Sequence, residues 1–160
     1  MNLYLIRHAI AEDYSVSKSD YDRELTHEGR KKMEAASKGW LSFIDEPDVF
    51  VSSPLVRAVQ TAEIVKKAYG SAKEIYIDKR LAAGRSRTDK VIEIADEYQV
   101  ENIAMFGHEP DFSEHVSNLI SSSGAMVNFR KGAIAKISFN GKARISGGVL
   151  EFFIPVKVFL

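Results

Sequence analysis

Cysteine is absent from the 160 residues. That excludes a disulfide framework, a thiol nucleophile and a thiolate metal site. Net charge is missing as well, with 22 Lys and Arg against 22 Asp and Glu, which removes the bulk electrostatic argument for nucleic acid or an anionic membrane as partner. Any basic site has to be local. Long apolar runs are also lacking: Leu3 to Ile6 is cut off at once by Arg7 and His8, far short of a signal-peptide core or a membrane span. A soluble, cytoplasmic protein is expected. The four histidines include no closely spaced pair of the kind that metal-binding helices and loops use, so no metal site is expected. No linker, low-complexity tract or internal repeat divides the sequence, and residues 1–160 are expected to form one domain. What is present is globular composition, 45% apolar and 28% charged, enough for a core at this length without a metal or a disulfide.

Strand-like and helix-like segments alternate along most of the chain, which predicts an α/β layer fold. Asn2 to Arg7, Asp48 to Ser52 and Asn102 to Phe106 are short apolar runs of the kind that fill a parallel sheet covered on both faces. Glu74 to Ile77 is a weaker strand because it is short. Thr26 is read as an N-cap, and Met33, Ala36, Trp40 and Ile44 carry a helix to about Phe43. Ser53-Pro54 is read as an N-cap with proline at the first helical position, followed by a helix through Leu55, Val59, Ala62, Val65 and Tyr69. Val91, Ile94, Ala95 and Tyr98 mark another helix, and one more is expected after Pro110 to about Ile120. Ser121 to Gly124 then punctuates a change of style. Ala133 to Phe139 alternates strand-fashion and runs into Asn140-Gly141, a hairpin signal, so an antiparallel C-terminal hairpin is expected with strand residues through Val149 to Ile154. Ala11 to Glu24 is a polar loop long enough to be functional or mobile.

Ligands in open α/β sheets bind outside the carboxyl ends of the strands. Here the first strand delivers Arg7 and His8, the second leads into Ser53 and then Arg57, and the fourth delivers His108. Arg57 falls in a first helical turn, where the dipole mildly disfavours a cation, and an anion at that place would account for it. Two guanidinium groups, two imidazoles and a helix N-terminus together describe a phosphate pocket. Each residue alone has a plainer reading as a hydrogen-bonded strand-end histidine or a surface arginine. Their coincidence at neighbouring strand ends favours function. His27 and His115 are read as ordinary residues, and the basic pair Arg130-Lys131 first as solvated surface, with contact to a protein substrate at the pocket rim as the alternative.

At these residues the sequence resembles the histidine phosphatase superfamily, the phosphoglycerate mutase-like proteins. The resemblance rests on Leu5-Ile6-Arg7-His8-Ala9, where the last motif residue is more often Gly, on Leu25-Thr26 with Gly29, on Ser53 to Ala62 (SPLVRAVQTA), and on Gly107-His108. The short chain looks like the SixA-type phosphohistidine phosphatases. The resemblance implies a three-layer α/β/α sandwich with a mostly parallel central sheet. It implies further that His8 attacks phosphorus and becomes phosphohistidine, that Arg7, Arg57 and His108 hold the phosphoryl oxygens with Ser53 among the binding residues, and that no cofactor takes part. Nearby arginines would favour the neutral imidazole that can attack, and would stabilise the charge of the transition state.

One departure bears on the substrate. Larger members carry a carboxylate after the third strand that protonates the leaving group, whereas here Arg80-Leu81 is followed by Ala82-Ala83-Gly84. General acid catalysis is typically worth about a hundred- to ten-thousandfold, so an alkoxide leaving group would suffer most from its loss. Phosphohistidine, on a protein such as a histidine-containing phosphotransfer domain, is the expected substrate. Alternatives are a small phosphomonoester cleaved by the same His8, and a phosphate-binding module without turnover. A mutase is disfavoured by the short chain and the missing carboxylate. Asp13, Asp20, Asp22 and Glu109 are the candidate substitutes for the acid, each with the plainer reading of a solvated charge.

Overall fold

The computed structural model describes all 160 residues. Its elements run β1 (Asn2–Arg7), α1 (His27–Trp40), β2 (Val49–Ser52), α2 (Val56–Ala68), β3 (Ile75–Ile77), α3 (Thr88–Tyr98), β4 (Asn102–Gly107), α4 (Asp111–Ile120), β5 (Ile134–Phe139) and β6 (Gly148–Ile154). The six strands form one sheet in the order β3-β2-β4-β1-β5-β6. β3, β2, β4 and β1 are mutually parallel, and β5 runs antiparallel to both β1 and β6. The sheet is mostly parallel with an antiparallel C-terminal pair, as expected.

Alternation along β1 builds the layers, because successive side chains point to opposite faces. Tyr4 and Ile6 pack with Met33, Ala36 and Trp40 of α1 and with Ala62 and Val65 of α2. Leu3 and Leu5 pack with Val91, Ile94 and Ala95 of α3 and with Phe112, Val116 and Leu119 of α4. Both faces of the central strands are therefore buried, which is why those strands read as continuous apolar runs rather than alternating ones. β3 lies at the sheet edge with its last two residues exposed, in keeping with its weak sequence signal. No helix is long and apolar enough to cross a membrane.

Two local expectations are corrected. Ser53 does not cap α2; the helix starts at Val56 with Leu55 in the capping position and no side-chain cap bond. The Ser53 hydroxyl is used elsewhere, lying 2.7 Å from His108 Nε2 and accepting the Leu55 amide, ahead of the helix, at 3.3 Å. The antiparallel C-terminal hairpin expected around Asn140-Gly141 is present, its connection running from Phe139 to the start of β6 at Gly148. The pairing of β5 with β6 is set by the sheet itself, and Gly141 supplies only a left-handed residue at φ +85° within the longer connection. Finally, α1 ends at Trp40, whose carbonyl takes the amides of Phe43 and Ile44 and closes the helix with a turn.

Candidate active site

The parallel registers bring three strand ends to one level. Arg7 stands opposite Gly107 and Ser52 opposite Phe106. The ladder then continues one residue further, His8 N–H donating to the Gly107 carbonyl at 3.0 Å and Ser53 N–H to the Phe106 carbonyl at 2.9 Å. His8, Ser53 and His108 therefore follow three adjacent strands, β1, β2 and β4, at the same edge. The two imidazole rings sit 5.2 Å apart, centre to centre.

Arg57, the second residue of α2, reaches back into this cluster. It is 3% exposed, and its three guanidinium nitrogens have separate partners: Nε donates to His8 Nε2 at 3.3 Å, Nη1 to the Asp20 carbonyl at 2.7 Å and Nη2 to Asp20 Oδ2 at 3.2 Å. Arg7 enters from the other side, with Nη1 donating to the Phe129 carbonyl at 2.6 Å. All five residues singled out in the sequence, Arg7, His8, Ser53, Arg57 and His108, thus meet in one place.

The tautomer of His8 follows from its surroundings. Nδ1 lies 2.7 Å from the Ala9 carbonyl, which can only accept, so the ring proton sits on Nδ1 and the lone pair on Nε2. Burial, followed by the charges of Arg57, Arg7 and Lys131, pushes the His8 pKa down to about 3, against the pull of the Ala9 carbonyl. Burial and then neighbouring His8 and Arg57 push His108 down to about 2. Both rings are neutral near pH 7. His108 accepting the Ser53 O–H at Nε2 would carry its own proton on Nδ1. That Nδ1 and Arg7 Nε are buried polar atoms without a partner, a costly condition that hydrogen bonds to an oxygen-rich anion would relieve.

Supporting contacts hold the segment after β1. Thr26 caps α1 by accepting the Gly29 amide at 3.0 Å, while its own amide donates to the Ile10 carbonyl. A Cβ at Gly29 would overlap that carbonyl, which explains a glycine in the first turn of a helix. Thr61 accepts the Ala9 amide at 3.1 Å and donates to the Arg57 carbonyl at 2.7 Å, so a single hydroxyl ties the segment after His8 to the helix bearing Arg57. Thr61 lies within the Ser53 to Ala62 motif, but no role was read for it, and nothing in the sequence marked the Phe129 carbonyl as part of the site.

The candidate acids separate clearly. Asp20 is corrected from a solvated charge to a partner of Arg57 and Arg23. Burial raises its pKa, but the Arg23 bond and the Arg57 charge outweigh that and hold it below the usual carboxylate range. Glu109 spends both oxygens on Ser113, at its amide and its hydroxyl. Asp13 and Asp22 are exposed. Ala82 and Ala83 put no acid after β3; the adjacent Gly84 amide instead donates to Asp111, a buried carboxylate that holds this loop. His27 is exposed, and His115 is a buried structural residue between Ser86 and Thr88.

The family model of the histidine phosphatase superfamily (branch 1) matches residues 3–126. The chain belongs to the histidine phosphatase superfamily. A curated relative, an uncharacterized protein of Picosynechococcus, is 27% identical over 150 residues, covering 91% of this chain and 88% of its own. Among solved structures, the protein histidine phosphatase SixA complexed with tungstate superposes with a TM-score of 0.84 at 19% identity, covering 99% of both chains. A phosphoserine phosphatase H9A mutant from Entamoeba histolytica in complex with phosphoserine gives a TM-score of 0.74 at 17% identity, again over 99% of both chains. These likenesses fix the three-layer superfamily fold, and they include neighbours named for protein and for small-molecule substrates.

Proposed function

We propose that the protein is a phosphohistidine phosphatase working through a covalent intermediate on His8. The Nε2 lone pair, released by Arg57 Nε–H as that guanidinium turns to the phosphoryl group, attacks phosphorus, and the P–N bond to the substrate imidazole breaks as the bond to Nε2 forms. The Nδ1 proton stays on His8 throughout, and the Ala9 carbonyl stabilises the imidazolium that results. Arg57, Arg7 and His108 Nδ1 serve as donors to the phosphoryl oxygens, where their charge and hydrogen bonds act most strongly in the transition state. Water then attacks the enzyme phosphohistidine, the P–N bond breaks toward Nε2, and the oxygen and protons of water leave as inorganic phosphate.

The observation that carries the choice of substrate is that no carboxylate follows β3, where Ala82 and Ala83 stand. The carboxylate bonded to a pocket residue is Asp20, and it is ionised and committed to Arg57 and Arg23. An alkoxide needs a proton as it leaves, whereas an imidazole whose second nitrogen is already protonated departs neutral without one. Phosphate release from a phosphohistidine protein and from a sugar phosphate, by the protein and its His8→Ala variant, tests this. Phosphohistidine turnover that the substitution abolishes is expected. Equal or faster turnover of the sugar phosphate would overturn the substrate assignment.

A further inference from the structure

Beside the catalytic cluster lies an open groove of about 460 Å³ whose charged lining is entirely basic: Arg7, Arg130, Lys131 and Lys157. Its remaining surface comes from Asn128 and a small apolar floor at Ile10 and Val156, with Pro155 alongside. No carboxylate faces it, and none of its four cations takes part in an ion pair, in contrast to the paired arginines Arg23, Arg57, Arg80 and Arg87. In a chain of zero net charge this is a local concentration of one sign.

The groove is built onto the nucleophile. Gly132 adopts φ +75° and donates its amide to the carbonyls of both Arg7 and His8, at 3.2 and 3.1 Å, while the Ala133 amide closes the turn on the Arg130 carbonyl at 3.0 Å. Arg130 and Lys131 are thus presented on a turn pinned to the end of β1. The other wall is the C-terminal 3-10 turn Val156–Phe159, and a Cβ at Gly132 would already press on Val156 at 3.3 Å. Arg7, the residue before His8, lines the groove, so the groove adjoins the His8 cluster through that side chain.

We infer that this groove is a recognition subsite for acidic side chains flanking the phosphorylated histidine of a polypeptide substrate, an inference that rests on the phosphohistidine reading above. The openness of the groove and the exposed, long-stemmed Arg130, Lys131 and Lys157 suit carboxylates spread over a polypeptide better than one fixed small anion. Unpaired cations at the mouth of a site also steer an oppositely charged partner toward it and raise the association rate.

The test uses two phosphohistidine peptides of equal length, one flanked by Asp and Glu and one by Lys and Arg, with phosphoramidate as a small substrate. For the unaltered protein kcat/KM should favour the acidic peptide about tenfold at low salt, the yield of two or three exposed pairs, and fall toward parity as salt screens them. Arg130→Gln with Lys157→Gln should abolish that preference and Arg130→Glu with Lys157→Glu should reverse it, with circular dichroism reporting the fold of each. Equal rates on the two peptides, or a preference for the basic one, with phosphoramidate still hydrolysed, would overturn the groove assignment alone. Failure on all three substrates would instead overturn the phosphatase reading on which it rests.

Discussion

Replacing Asp20 by Asn should weaken the resting fold slightly and strengthen phosphate binding substantially. Asp20 holds the buried Arg57 fork through its carboxylate, at 3.2 Å, and its main-chain carbonyl, at 2.7 Å. A phosphate that enters the fork must either displace that carboxylate or sit a few ångströms from it. Two unit charges about 4 Å apart interact by about 1 kcal/mol in water and about 4 kcal/mol at an effective dielectric constant near 20. The Asp20 side chain is 44% exposed, which places the repulsion near the lower end, at about 1 to 2 kcal/mol. Removing it should tighten inorganic phosphate binding about 5- to 30-fold. The main-chain bond to Arg57 is untouched and Asn keeps one acceptor, so the stability loss should stay near 1 kcal/mol for this half-exposed pair. Competitive inhibition by phosphate, with its dissociation constant from calorimetry, measures the first quantity, and urea denaturation the second. Rising salt should shrink the gain. Unchanged or weaker phosphate binding in the variant would refute the idea that Asp20 occupies the anion site.

Acid should destabilise the protein earlier than its carboxylates alone would. His8, His108 and His115 titrate near 3, 2 and 4 in the fold, each lowered first of all by burial, against about 6.5 when unfolded. Between those values the unfolded chain binds protons that the fold refuses, so stability is full above pH 6.5 and is lost as pH falls toward the folded values. The slope is at most about 1.4 kcal/mol per pH unit for each histidine, and a urea midpoint that stays constant from pH 7 to pH 5 would contradict it. Gly107→Ala should lower stability by about 1 to 3 kcal/mol through overpacking, because a Cβ there lies 2.5 Å from Phe112. Thermal unfolding unchanged from the parent would show that Phe112 can move aside.

The short apolar runs determined the strands of the sheet because a parallel strand buried on both faces has no polar face to show. Arg7, His8 and His108 were legible for a related reason, standing where such runs end and where an α/β sheet places its ligands. The cap at Thr26 was legible because capping is local chemistry. Ser53 shows where local chemistry stops: its hydroxyl meets His108, and only the pairing of β2 with β4 put the two side by side. Asp20 lies 37 residues before Arg57 in a segment without periodicity, so no pattern could join the two. The Phe129 carbonyl escaped for the same reason, since its bond to Arg7 is a contact across the fold rather than a property of its neighbours in sequence. The groove of Arg7, Arg130, Lys131 and Lys157 draws on segments more than a hundred residues apart. The sequence determined by itself which groups could bind a phosphoryl anion. The tertiary structure decided which of them share a site, because hydrogen bonds and charge pairs are fixed by distances that only packing sets.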